Sequence, residues 1–265
     1  MPNISVKDAL KNKNAFFLDV RSEKEFEEDH IPGAINVPIL DNEERHLVGY
    51  TYKQKSKDEA YKIGYEIFDK KISEFEKKID EFKGKDVVFY CFRGGTRSSC
   101  FVDYFEKKGK KNIYKLDGGY KKYREEVRNE IKNVKLPKVV VLYGLTGAGK
   151  TRLIKRLNNS IDLEGLASHR SSLFGAVGLK PRMQKMFETL LFEELGKKRD
   201  YLILEGESRK IGNIIIPENI FKSMNDSIKI DITCSLDTRA KRIVKEYFND
   251  NERIKQVKEV VPKLI

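Results

Sequence analysis

The sequence predicts an α/β chain in which two parallel-sheet domains follow one another, and three observations predict it. The apolar run Val87-Val88-Phe89-Tyr90 ends at Cys91, and Phe92-Arg93-Gly94-Gly95-Thr96-Arg97 then leads into a helix near Ser98. A second run, Val139-Val140-Val141-Leu142-Tyr143, feeds Gly144-Leu145-Thr146-Gly147-Ala148-Gly149-Lys150-Thr151. Short apolar runs closed by glycine-rich turns read as strands buried on both faces, the state of a parallel sheet covered by helices. Third, 265 residues are enough for two domains of ordinary size, each with its own core.

Cys91 is the candidate nucleophile. Gly94 and Gly95 permit positive φ, so successive backbone N–H groups can turn inward around one point. Arg93, Arg97 and the start of the following helix would favour a thiolate there. A lone cysteine is more often a packing residue, but two glycines and two arginines beside it argue for chemistry. Arg97 is the seventh residue counting from Cys91, the CX5R spacing also found in cysteine phosphatases, whose loop holds a tetrahedral phosphate.

Lysine and arginine number 53 against 41 acids, giving a net charge of +12 and a pI near 9.3. That balance suits a polyanion such as a nucleic acid, with a merely lysine-rich surface as the plain alternative. No apolar run approaches the ~20 residues of a membrane span, and the N-terminus lacks the apolar core of a signal peptide. A cytoplasmic chain is expected. Cys91, Cys100 and Cys234 show neither a paired framework nor metal-ligand spacing, which fits a reducing compartment. Cys100, on the helix after the loop, reads as a packing residue.

In chain order, a helix over Ser5 to Leu10 precedes a strand over Ala15 to Val20. Ser22 caps a short acidic helix, and His30 to Pro38 turns into a second short strand. Residues 41 to 83 form an insert. Ile63, Ile67, Phe68, Ile72, Phe75, Ile79 and Phe82 recur every three or four positions, predicting an amphipathic helix packed on the sheet. His46 to Gln54 shows no clear period. A helix over Ser98 to Lys108, a strand over Ile113 to Leu116, and Asp117-Gly118-Gly119-Tyr120 opening another helix complete the first domain. It is expected to span 1–134, and the second 135–265, with Pro137 in the linker.

The pattern LDVRSxxEFxxxHIPGAINVP, followed in order by CxRGGxR and GGY, resembles the rhodanese domain. The resemblance implies that Asp19 and Arg21 brace the fold and the active loop formed by Cys91, Arg93, Gly94, Gly95, Thr96 and Arg97. It also implies that the GGY element borders the active site and that His30 is structural.

The second domain reads as a P-loop NTPase-like, doubly wound fold, because GxxxxGK[ST] lies between a strand and a helix. Gly144, Gly147 and Gly149 let amides wrap a diphosphate, Lys150 neutralises its charge, and Thr151 would ligate magnesium. The strand Tyr201 to Leu204 ends at Glu205, an acidic partner for that metal or its water, with Asp200 and Glu207 as competitors. A last strand, Ile228 to Thr233, precedes a helix bearing Arg239 and Arg242 that could reach phosphate or solvent. Asp162 to Gly175, with His169, Arg170 and Ser172, and Glu205 to Gly212, with Arg209, read as ligand loops at the C-terminal edge of the sheet.

YCxRGGxRS, GLTGxGKT, DLEGLAxHRxSxFG and ExESRxIG together, with VGxxYKQ in the insert, resemble the bacterial tRNA 2-selenouridine synthase family over nearly the whole chain. The resemblance implies exchange of sulfur for selenium on wobble 2-thiouridine of tRNA. Selenophosphate would be the donor and an S-geranylated base made from geranyl diphosphate the intermediate. Joined to the chemistry of the Cys91 loop, this leads to attack of the Cys91 thiolate on selenium, with a perselenide left on the enzyme as carrier and phosphate released. A selenophosphate-supplying enzyme would be a further partner. Residues 180–184 fit the family only in part. The chain ends at Ile265 where relatives continue through a helical region, so tRNA binding is expected to be weaker or completed by another chain. Two other classes compete: a rhodanese-type sulfurtransferase fused to an ATP/GTP-dependent kinase-like domain, and a non-catalytic tRNA-binding module. Phosphatase action is a third.

Overall fold

The structure, a computed structural model, describes residues 2–264. It divides into two compact units, 1–128 and 129–265, each an α/β layer structure. The division falls inside a helix, ahead of the 134/135 boundary expected from the proline-bearing linker, because the helix runs on from the first unit.

The first unit contains β1 (Asn3–Ile4), α1 (Val6–Lys11), β2 (Ala15–Asp19), α2 (Glu23–Glu28), β3 (Ile35–Asn36), α3 (Asn42–Gln54), α4 (Lys57–Asp80), β4 (Asp86–Tyr90), α5 (Thr96–Lys107), β5 (Ile113–Leu116) and the start of α6 (Gly119–Asn133). Its sheet has the order β1-β5-β4-β2-β3 with every pairing parallel. The central β4, four of whose five residues are fully buried, delivers Cys91 to the sheet's C-terminal edge. The insert is two helices. Asp41 and Glu44 form a reciprocal capping box that starts α3, and Ser56 caps α4. Phe68, Phe75 and Ile79 of α4 pack with Phe89 of β4 and Phe101 and Phe105 of α5 in one apolar cluster. The helix of the active loop is thereby clamped between sheet and insert.

The second unit contains β6 (Lys138–Tyr143), α7 (Lys150–Ile154), β7 (Ser160–Ile161), α8 (Leu163–Ala167), α9 (Gln184–Leu195), β8 (Tyr201–Glu205), β9 (Lys210–Ile211), β10 (Ile214–Ile215), α10 (Glu218–Asn225), β11 (Ile228–Asp231), α11 (Leu236–Tyr247) and α12 (Asn251–Val260). Four parallel strands run in the order β11-β6-β8-β7, and β9 and β10 form an antiparallel hairpin. Val141, Leu204, Leu163, Phe187 and Leu191 are the buried centre of its core. Because β6 and β8 are neighbours in register, Leu142 opposite Glu205, the loops after both strands open at the same edge. No helix among the described residues is long and apolar enough to cross a membrane.

Candidate functional site

In the first unit the Cys91 side chain is only 3% exposed, yet its sulfur is turned to polar donors. The Gly95 N–H lies 3.2 Å from Sγ and the Ser98 hydroxyl 3.3 Å. Helix α5 starts at Thr96, with Gly95 as its N-cap, so the loop closes two residues earlier than the sequence suggested. The GGY element supports this loop from behind. Tyr120 N–H donates to Cys91 O at 2.9 Å and Lys121 N–H to Phe92 O at 2.8 Å. At Gly119, with φ +58°, a Cβ would stand 2.3 Å from Cys91 O and 2.4 Å from Gly94 N, an approach only glycine permits.

Asp19 and Arg21 form a buried brace. Arg21 donates Nε and Nη2 to the Asp19 carboxylate, at 3.0 and 2.6 Å, and Nη2 also to Asp29 O at 2.7 Å. Its guanidinium stacks 3.8 Å from the Tyr120 ring centroid, and the Tyr120 hydroxyl donates to Asp29 at 2.7 Å. The brace thus holds the residue whose backbone holds Cys91. Arg93 stays exposed, its guanidinium 5.8 Å from the Phe92 ring, and Thr96 is exposed at the helix start. Arg97 departs from its expected role. Its guanidinium pairs with Glu25, at 2.7 Å from Nη1 to Oε2, rather than facing the sulfur. Burial alone would raise the Glu25 carboxyl, but Arg97 outweighs it and holds Glu25 below the usual carboxylate range.

In the second unit Gly144 to Gly149 bend the chain between β6 and α7. All three motif glycines have positive φ, and neighbours occupy the space a Cβ would take: Ile232 O at Gly144, Arg239 O at Gly147 and the Arg242 guanidinium at Gly149. Arg242 Nη1 donates to Gly147 O and Ala148 O, and Arg239 Nε to Thr146 O. These arginines brace the loop through its carbonyls. Lys150 Nζ donates to Gly144 O at 2.7 Å.

Beside Thr151 three carboxylates converge. One oxygen each of Glu164, Glu205 and Glu207 lies within 4.8 Å of the others. The Thr151 hydroxyl is 3.1 Å from Glu164 and 3.3 Å from Glu205, and Glu164 N–H donates to Glu205 at 3.0 Å. Burial, followed by the charges of Glu164 and Asp162, pushes the fully buried Glu205 well above the carboxylate range. Burial also pushes Glu207 up to about 7, with the charge of Glu164 adding to it and Lys150 opposing. An all-oxygen set carrying this much like charge fits a hard divalent cation such as Mg²⁺. Glu164 is the member the sequence did not single out, though it lies in the predicted ligand loop. Asp200 precedes β8 and so stands at the opposite end of that strand from Glu205.

The remaining ligand-loop candidates serve the loop's own architecture. The His169 ring packs against Gly175 and Gly212, where an added Cβ would stand 2.3 and 2.8 Å from it, joining the two signature loops. Arg170 pairs with Glu246 at 2.6 Å and donates to Val177 O. Ser172 shares a 2.6 Å hydrogen bond with Tyr247, and the exposed Arg209 lies 3.7 Å from Glu218. Thus Thr151, Glu205 and Glu207 are brought together, whereas His169, Arg170, Ser172 and Arg209 make their contacts elsewhere.

Comparison with known proteins follows the same division. Residues 4–126 match the rhodanese-like domain, and residues 137–260 match the tRNA 2-selenouridine synthase AAA domain. A tRNA 2-selenouridine synthase of Sulfurovum sp. (strain NBC37-1) is 34% identical over 97% of this chain and 73% of its own. Those of Chromohalobacter salexigens and Nitrosomonas europaea are 33% and 35% identical, over 94% and 93% of this chain and 69% and 67% of theirs. With both domains matched in order and relatives aligned along nearly its whole length, the chain belongs to the tRNA 2-selenouridine synthase family.

Proposed function

We propose that this chain exchanges the sulfur of wobble 2-thiouridine in tRNA for selenium from selenophosphate, through an S-geranylated base made from geranyl diphosphate. The observation that carries the reading is the Cys91 sulfur, which meets the Gly95 amide and the Ser98 hydroxyl instead of aliphatic packing alone. Family membership supports tRNA and selenium, and the net charge of +12 suits a polyanionic substrate. The proposal extends to the cytoplasm as the place of action and to a selenophosphate-supplying enzyme as a partner.

Alkylation explains the need for two sites. A free thiocarbonyl sulfur leaves poorly, whereas its S-alkyl form departs as a thiolate. In the second unit Lys150 and the amides around Gly147 and Gly149 would hold the diphosphate and stabilise its charge as the C–O bond breaks. Mg²⁺ held by Thr151, Glu164, Glu205 and Glu207 would supply further positive charge there. Nucleotide hydrolysis has no part in this scheme.

Electron balance revises the donor step expected from the sequence. Thiolate attack at selenium would leave the P–Se bonding pair on phosphorus and release phosphite, not phosphate. Attack of Cys91 at phosphorus balances: the S–P bond forms, hydrogen selenide leaves with the P–Se pair, and water then returns phosphate. The CX5R spacing suits a tetrahedral phosphoryl group. Selenide adds to C2 and geranylthiolate departs with the C–S pair, so neither oxidant nor reductant is required.

The test is nucleoside mass spectrometry of thiolated tRNA incubated with the protein, geranyl diphosphate and selenophosphate. S-geranyl-2-thiouridine should appear first and 2-selenouridine second, and Cys91→Ser should retain the first product and lose the second. Absence of both products with the unaltered protein overturns the reading.

A further inference from the structure

Between the insert helices and the active-loop helix lies a partly open cavity of about 130 Å³. Leu40, Val48 and Ala60 give it an aliphatic lining, and Tyr61 and Tyr65, 42% and 50% exposed, stand at its mouth. Its far wall is α5 itself, through Thr96, Arg97 and Cys100. The first turns of that helix therefore serve two places: Ser98 touches the Cys91 sulfur, while Thr96, Arg97 and Cys100 border the cavity.

The chemistry of the lining narrows the occupant. Arg45 and Arg97, the charged residues on its border, share the one carboxylate of Glu25, which neutralises one of the two charges and draws both guanidinium groups to itself, leaving a lining that is mostly aliphatic and aromatic. A nucleobase edge would meet few hydrogen-bonding groups. A flexible hydrocarbon meets aliphatic and aromatic surface, and a dry cavity of roughly 150 Å³ is enough to take a six-carbon ring. One isoprene unit would lie inside and a second across the two tyrosine rings.

We propose that this cavity seats the isoprenoid substituent of the wobble base, holding the hydrocarbon of S-alkylated 2-thiouridine while C2 faces Cys91. The inference rests on the S-alkylated intermediate proposed above. It assigns the α3–α4 insert a role as a reader of alkylated substrate, separate from the diphosphate site of the second unit. Selection occurs through burial of the chain, so affinity should grow with its length.

The test measures affinities of the full chain for anticodon stem-loops bearing 2-thiouridine with S-methyl, S-dimethylallyl or S-geranyl substituents. Affinity should rise at least tenfold from methyl to geranyl. Val48→Phe, which fills the cavity, should flatten that rise, and Tyr61→Ala and Tyr65→Ala, changes at exposed positions, should each reduce it at least threefold. A flat series in the unaltered protein, or a rise that persists in a folded Val48→Phe and in both tyrosine variants, overturns the cavity assignment. Conversion of the geranyl stem-loop to 2-selenouridine is scored separately. Turnover with a flat series rejects the cavity and leaves the exchange reaction standing, whereas a length-dependent rise without turnover supports the cavity and rejects the exchange.

Discussion

Arg97 donates to both carboxylate oxygens of Glu25, Nη1 to Oε2 at 2.7 Å and Nη2 to Oε1 at 3.3 Å, although the CX5R spacing assigns it to the Cys91 loop. Glu25 also closes the capping box of α2 and lies 3.7 Å from Arg45. For Arg97 to hold an oxyanion on the loop, its guanidinium must leave this partner.

Glu25→Gln removes the competing charge. The Michaelis constant for selenophosphate should fall about threefold to tenfold, the net scale of one ordinary hydrogen bond. Stability should move the other way. Because the folded-state pKa of Glu25 is depressed, its contribution is present above the unfolded value near 4.5 and is lost as pH falls through the lower folded one. Urea unfolding should therefore show a cost of roughly 1 kcal/mol at pH 7 that shrinks towards pH 3. An unchanged Michaelis constant would mean that Arg97 does not serve the donor.

Gly119→Ala tests the contact behind the nucleophile. With φ at +58° and only 2.3 Å to Cys91 O, an added methyl must displace the loop. The variant should lose about 1–3 kcal/mol of stability, and selenium exchange should fall by at least a hundredfold as Cys91 moves off its donors. S-geranylation should continue. Equal loss of both activities would show that the damage is not confined to the active loop.

The strands β2, β4, β6 and β8 were legible because each is a continuous run of apolar residues, and the glycine loops after β4 and β6 marked where ligands would meet the sheet. Helix α4 was legible from its period, but α3 was not, since among its residues only Thr51 is buried and no apolar stripe results. Its Asp41 and Glu44 capping pair was the readable signal. The pairing of Arg97 with Glu25 and the meeting of Glu164 with Glu205 join residues 72 and 41 positions apart. Such contacts are products of strand order and register, which local spacing does not encode. The same limit applies to Arg239 and Arg242, whose reach to the loop carbonyls depends on β11 lying beside β6.

The carboxylate cluster predicts an inverted pH response for the second unit. Raised folded-state values for Glu205 and Glu207 mean that the folded protein binds more protons than the unfolded chain. Their contribution is favourable below the unfolded value near 4.5 and is lost as pH rises, through about 7 for Glu207, at a cost for that residue on the order of 3 kcal/mol. Thermal unfolding in EDTA should show this unit weakening from pH 5 to pH 8, and Mg²⁺ should restore it most at the higher pH. Glu164→Gln should reduce both the pH dependence and the Mg²⁺ effect. A metal-free unfolding temperature that is flat over this range would contradict the proposed crowding of charge.

Lys150→Ala separates the two half-reactions. Lys150 folds back onto Gly144 O, a position from which its ammonium can swing to a diphosphate. Removing it leaves the loop carbonyls still braced by Arg239 and Arg242, so the loop should keep its shape while losing the positive charge at its centre. S-geranylation should drop by 10²–10³, as when a group stabilising developing charge is deleted. Conversion of S-geranylated tRNA prepared separately should proceed at the unaltered rate, because the proposed scheme assigns that step to the first unit. Lys150→Arg keeps the charge but on a planar, longer group, and should recover only part of the loss. The measurement is product formation from each starting tRNA. Undiminished geranylation in Lys150→Ala would remove the diphosphate from this loop, whereas a parallel loss in both steps would mean that the two units depend on each other.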